Sequence, residues 1–151
     1  HMFYLSGQRW LQGEEKMESQ YLLVHATSKD GIHWNRDPRP IIEPKVEYES
    51  QTSAAIIKID NRYHMFFCYR YGLDFRHTLG KGYAMGYAYS DDLYNWTRDD
   101  SMVGIELSKD GWDSKMIAYP HVSKIGDKYY MFYCGNDFGK EGFGYAELKI
   151  E

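Results

Sequence analysis

The sequence predicts an all-β fold, and three observations carry that prediction. Runs of roughly four to eight residues rich in Tyr, Phe, Ile and Met are bounded by Gly, Asp, Asn or Ser, the pattern of short antiparallel strands. The 151 residues include 15 Tyr, 7 Phe and 4 Trp, and stretches of helical period are few. Pieces of one stretch, Ala54 to Trp96, also recur before and after it.

That stretch is the only complete copy. It reads as an apolar run from Ala54 to Ile59, a turn at Asp60 and Asn61, and an aromatic run from Tyr63 to Tyr69. A long polar loop, a second aromatic run from Tyr83 to Tyr89 and a tight turn ending at Trp96 complete it. Upstream, His25 to Trp34 matches Tyr87 to Trp96 without a gap, sharing Ala, Ser, Asp and Trp. Downstream, Ile125 to Cys134 repeats Ile59 to Cys68, and Gly144-Tyr145-Ala146 repeats Gly86-Tyr87-Ala88. Met2-Phe3-Tyr4 matches Met65-Phe66-Phe67. A period of about 60 residues with roughly four strands per copy describes sheets that must stack on one another to bury their faces. The expected architecture is therefore a partial β-propeller of about three antiparallel four-stranded blades, in one domain over 2–151.

Taken in order, His1 precedes Met2 and is set aside as a tag remnant. The first blade spans 2–43, with Met2 opening its second strand, a polar loop over Ser6 to Ser19, and a third strand over Tyr21 to Thr27. Ser28 to Trp34 places Asp30-Gly31 at the tip of a turn that suits a primed hairpin, and Asp37-Pro38-Arg39-Pro40 ends the outer strand. Ile41 to Ser50 crosses to the second blade, 50–100, and the third covers 113–151. The first blade lacks its inner strand and the last its outer one, so open sheet edges are expected. Either a second copy closes them, as a homodimer or a six-bladed ring, or the chain belongs to something longer.

The 18 Lys and Arg against 22 Asp and Glu give a net charge of -4, with no basic stripe to replace the counterions of a nucleic acid. No apolar run approaches a membrane span and no leader is visible, so the polypeptide reads as soluble. Cys68 and Cys134 fall at equivalent places in successive repeats, which should lie beyond the ~7 Å limit of a disulfide. Both read as free buried thiols, which lean towards a reducing, cytoplasmic setting. The six His are scattered and no metal-ligand spacing or cofactor motif is evident.

Three phrases resemble the five-bladed propeller glycosidases, the arabinanase/β-xylosidase and β-fructosidase clan. They are Tyr63 to Arg70 (YHMFFCYR), Gly111 to Val122 (GWDSKMIAYPHV) and Tyr129 to Asn136 (YYMFYCGN). The Ser-x-Asp-(Gly/Leu)-x-x-Trp turn is similar to a recurring feature of their blades. The resemblance covers nearly the whole chain and implies the C-terminal blades only. It implies a saccharide at the propeller axis and inner-strand carboxylates as catalysts, ~5–5.5 Å apart for retention and ~6.5–9.5 Å for inversion. The first-blade Asp of that family has no counterpart, which opens two functions: a glycoside hydrolase, or a carbohydrate-binding or structural relic.

Glu49, just before an inner strand, best resembles the family's acid; the alternative is a solvated carboxylate beside Glu43 and Glu47. Asp113 aligns with Glu47 by the repeat offset and is either a second carboxylate or a brace beside Trp112. Arg70, Arg76 and His77 suit a pocket rim, with a salt bridge from Arg70 or Arg76 to Asp74 as the alternative. Tyr119, His121, Asn136 and Asp137 are sugar contacts if they face the axis and packing or turn residues if not. Tyr63, Tyr87, Tyr129 and Tyr145 recur with the repeat and are assigned to the core. Trp10 and Tyr48 do not recur and are freer to act.

Overall fold

The computed structural model describes residues 1–149; the last two residues of the expected third blade lie outside them. Three open antiparallel sheets follow one another along the chain. The first pairs β1 (Met2–Gln12), β2 (Met17–Thr27) and β3 (Asn35–Asp37) in that order. The second has the order β4 (Ser50–Ile59), β5 (Arg62–Arg70), β6 (Ala84–Ser90) and β7 (Thr97–Arg98). The third runs from β8 (Ala118–Ile125) through β9 (Lys128–Cys134) to β10 (Phe143–Leu148). Three such sheets, none closed, form part of a propeller. Among the described residues no helix is long and apolar enough to cross a membrane.

The middle sheet explains why β5 reads as an unbroken apolar run. Successive side chains of a strand point to opposite faces, and here both faces are covered. Met65 and Phe67 pack with Leu23 and Ile42 towards the first sheet. Phe66 and Cys68 pack with Met85, Ile117 and Met131 towards the third. Full burial of a ring such as Phe67 stabilises the fold by about 2–3 kcal/mol.

Four local expectations are corrected. Ser6 to Ser19 is not a loop: β1 and β2 continue as one hairpin whose register runs from Met2 opposite Ala26 to Gln12 opposite Met17, with a shift between Gly7 and Arg9. The strands persist past their polar stretch because Leu11 buries against the second sheet beside Gly72. The turn after β2 is not a primed hairpin, since Gly31 alone of its central pair has positive φ. Instead Ser28 Oγ accepts from the N–H groups of Asp30 and Gly31, and Asp30 Oδ1 from those of Ile32 and His33. Asp92 repeats this after β6, where the N–H and amide of Asn95 and the N–H of Tyr94 hold its carboxyl well below the usual range. Tyr145 is not core: it is 66% exposed on β10, the edge strand of the third sheet.

The last correction concerns the thiols. Both are free, but only Cys68 is buried, and Cys134 is half-buried. Burial pushes the Cys68 thiol up to about 12, against bonds from the Tyr119 N–H and Ser53 that act the other way. A thiolate is the reacting species, so the native protein at pH 8 is expected to titrate one thiol with a chromogenic disulfide and two after denaturation. Two fast-reacting thiols in the native state would contradict this placement.

Candidate functional site

A cleft of about 660 Å³ opens between the second and third sheets. One wall is the β5–β6 connection, with Phe75, Arg76 and His77 at its start and Tyr83 at its end. The other is Lys115 and Met116, which lead into β8, with Asp137 and Phe138 from the β9–β10 connection. Tyr83 is the hinge of its aromatic lining: its ring centroid lies 5.7 Å from Tyr119 and 6.1 Å from Phe138, and 6.5 Å from Phe75. Burial first, and then the Tyr21 hydroxyl bonded to it at 2.5 Å, raise the Tyr83 phenol above its ordinary value.

Behind that wall sits Arg70, 3% exposed and with no carboxylate partner among the described residues. Its Nε donates to Tyr21 Oη at 3.3 Å and its terminal nitrogens to the carbonyls of Tyr71, Gly72 and Ser19. The guanidinium carbon lies 3.6 Å from the Phe75 ring centroid. Arg70 thus fixes the rings of the cleft instead of lining it. Asp74 bonds Lys81 at 3.0 Å, not either arginine. Arg76 does line the cleft, stacked 4.0 Å over Phe75 while ion-paired to Glu18 of the hairpin. His77 lies on the same rim, as its sequence position suggests.

The inner-strand carboxylates stand elsewhere. Glu49 is fully buried, and each oxygen already accepts twice. Oε1 takes Arg98 Nη1 and Gln51 Nε2, both at 2.7 Å. Oε2 takes the main-chain N–H groups of Lys45 at 2.8 Å and Val46 at 3.2 Å. Four donors use the whole accepting capacity of a carboxylate, which leaves no face for a glycosidic oxygen. Arg98 also bonds Asp100 through Nε at 3.0 Å; its Nη2 lies 3.0 Å from Asp100 Oδ2 but too oblique to hydrogen-bond. Burial works against charge on Arg98, but its bonds to Asp100 and Glu49 outweigh it and raise its pKa.

Asp113 is likewise buried and accepts from Tyr133 Oη at 3.2 Å. Contacts re-register it: Tyr48 packs on Gly72 as Trp112 packs on Gly135, where a Cβ would overlap in either case. That pairs Asp113 with Glu49, not with Glu47 as the repeat offset suggests. None of the partners of Asp113 is a partner of Glu49, so a carboxylate pair is not assembled by hydrogen bonding here.

Tyr119 is 37% exposed, in a bulge between Ala118 and His121 where its φ is 57°. Ser53 has the same φ in the bulge of β4. His121 is exposed and bonds Ser123 Oγ at 2.9 Å. Asn136, at 1% exposure, is a hub and not a wall residue. Its Oδ1 accepts from the N–H groups of Lys115 and Met116, and its Nδ2 donates to Gly111 O and Glu141 Oε2. Trp10 is 69% exposed near the hairpin end, and Tyr48 lies under Arg9 at 5.1 Å. Sequence reasoning passed over Phe75, Lys115 and Phe138. The available signal was their place on the connections that follow the second strands, Phe75 and Phe138, and on the one that leads into β8, Lys115.

This architecture is that of the β-propeller glycosidase clan, and the chain is a glycosidase-related partial propeller. Among solved structures it is similar to a glycoside hydrolase, with a TM-score of 0.71 and 26% identity over 99% of this chain and 41% of that one. The Bombyx mori GH32 β-fructofuranosidase shares the fold, with a TM-score of 0.61 at 16% identity over 96% of this chain and 30% of that one. In sequence it is 33% identical over 152 residues to an uncharacterized protein of Mycobacterium tuberculosis, covering 98% of this chain and 46% of that protein. It is 32% identical over 103 residues to the β-1,2-mannobiose phosphorylase of Thermoanaerobacter sp., 64% of this chain and 33% of that enzyme. The chain spans about half the length of the curated relatives it matches over nearly its whole extent. No family model matches it.

Proposed function

We propose that this chain binds a saccharide in the cleft between its second and third sheets, and that alone it does not hydrolyse it. The observation that carries the reading is the lining: the half-exposed ring of Phe138, backed by the buried rings of Phe75 and Tyr83 and set beside Arg76, His77, Lys115 and Asp137. Flat rings cover the C–H faces of sugars while charged and polar tips bond their hydroxyls. The likeness to a glycoside hydrolase supports the same ligand class. Glycoside hydrolysis needs two carboxylates flanking the scissile bond. Asp137 is the one acid on this lining among the described residues, while Glu49 is spent on four internal bonds and Asp113 is buried against Tyr133.

Calorimetry with a disaccharide panel that includes β-1,2-mannobiose, together with assays for released sugar with and without phosphate, tests both halves. Binding at sub-millimolar to millimolar concentration without turnover is expected. Turnover by this chain alone would restore a catalytic carboxylate, and no heat with any disaccharide would end the saccharide reading.

A second reading concerns assembly. The outer face of β10 leaves Phe143 77% and Tyr145 66% exposed, which favours pairing with a second copy. Light scattering on a sizing column would give a dimer mass; a monomer at every concentration would contradict it.

A further inference from the structure

Two adjacent side-chain-bearing residues, Asp137 (φ 50°, ψ 43°) and Phe138 (φ 60°, ψ 33°), both lie in the left-handed region. That region crowds Cβ against the backbone; Asp tolerates it better than a ring does. Glycine would remove the strain, yet the chain places an aromatic residue there. Neighbours hold the conformation: Gly135 N–H donates to Gly142 O, Lys140 N–H to Asp137 O, and the Nδ2 of Asn136, the preceding residue, to the Gly111 carbonyl. Strain of this kind persists where the surroundings over-determine it, and it clusters at ligand sites.

The consequence is geometric. Both residues border the same cleft, Phe138 48% exposed and Asp137 exposed beside it. The Asp137 carboxylate enters no hydrogen bond or ion pair with any described residue, unlike those of Glu49, Asp100 and Asp113. Lys115 lines the same wall of the cleft, so a donor and an acceptor are both present there.

We propose that the Asp137–Phe138 pair is the specificity element of the cleft: the carboxylate accepts two adjacent hydroxyls of a neutral sugar ring whose C–H face lies on Phe138. A carboxylate has two oxygens spaced to take a vicinal diol, and a bond to a charged acceptor is stronger than a neutral one. This rests on the saccharide reading above and adds which residues select the sugar.

The test uses the whole chain and a titration series of β-1,2-mannobiose, cellobiose and xylobiose followed by NMR. Asp137→Asn and Phe138→Ala are each expected to weaken the best-bound disaccharide by ~10-fold or more, with native spectra retained. Phe138→Gly relieves the left-handed backbone, so its thermal midpoint should equal or exceed the wild-type value while affinity falls. Wild-type binding that survives Asp137→Asn and Phe138→Ala unchanged would overturn this assignment alone. A lowered midpoint in Phe138→Gly would make the pair a structural turn and overturn it too. Silence of the wild-type protein towards all three disaccharides would instead remove the saccharide reading on which it stands.

Discussion

Glu49→Gln is expected to lower the stability of the fold by about 3 kcal/mol, the scale of breaking one side of a buried ion pair. The amide keeps the shape but replaces one accepting oxygen with a donor, so a donor–donor clash arises at Arg98 and Gln51 or at the Lys45 and Val46 N–H groups. Arg98, with its side chain 4% exposed, then keeps Asp100 as its charged partner, beside the Glu43 carbonyl that accepts from Nη1. In urea the midpoint should fall by about 1–2 M at an unchanged slope. Replacing both partners, as Glu49→Gln with Arg98→Met, should cost less than the sum of the two single changes. A Glu49→Gln midpoint equal to that of the wild type, joined to loss of any sugar turnover, would return this residue to a catalytic role.

Asn136→Ala is the second large effect, at about 3 kcal/mol. It removes four hydrogen bonds at a position with 1% exposure and leaves the Lys115 and Met116 N–H groups and the Gly111 carbonyl without that partner. Each buried polar group left unsatisfied costs about 1–3 kcal/mol, and partial relaxation of the crossing recovers some of it. Because Lys115 and Met116 line the cleft, binding should weaken in step with stability. Asn136→Asp keeps the acceptor for the two N–H groups but sets a buried carboxylate against Glu141 Oε2 and the Gly111 carbonyl, so at neutral pH it should cost at least as much. A midpoint unmoved by Asn136→Ala would show that the crossing before β8 holds itself.

The fold was legible because strand signals are local. Alternating Tyr, Phe and Met runs mark β5, β6 and β9, and burial of both faces of the middle sheet writes an unbroken apolar stretch at Met65 to Cys68. The site was less legible because its logic is long-range. Nothing near Glu49 announces that its cation is Arg98, 49 residues away. Arg70 reads as a rim residue until Tyr21 and Ser19 are seen to fold back over it. Asp137 and Phe138 share a left-handed backbone that no spacing rule encodes. Tyr145 misled for the opposite reason: recurrence marks packing only where a neighbouring layer covers the strand.

The long hairpin has a kinetic consequence. Its second strand ties to the second sheet through Glu18 to Arg76, Ser19 to Arg70 and Tyr21 to Tyr83, pairs separated by 58, 51 and 62 residues. Contacts so distant along the chain must close large loops before they repay any entropy, which places folding in the millisecond-to-second range and not among the microsecond folders. The first two sheets should therefore gain protection from hydrogen exchange together, as one cooperative unit, and a protease cut within residues 13–16 should slow the acquisition of both.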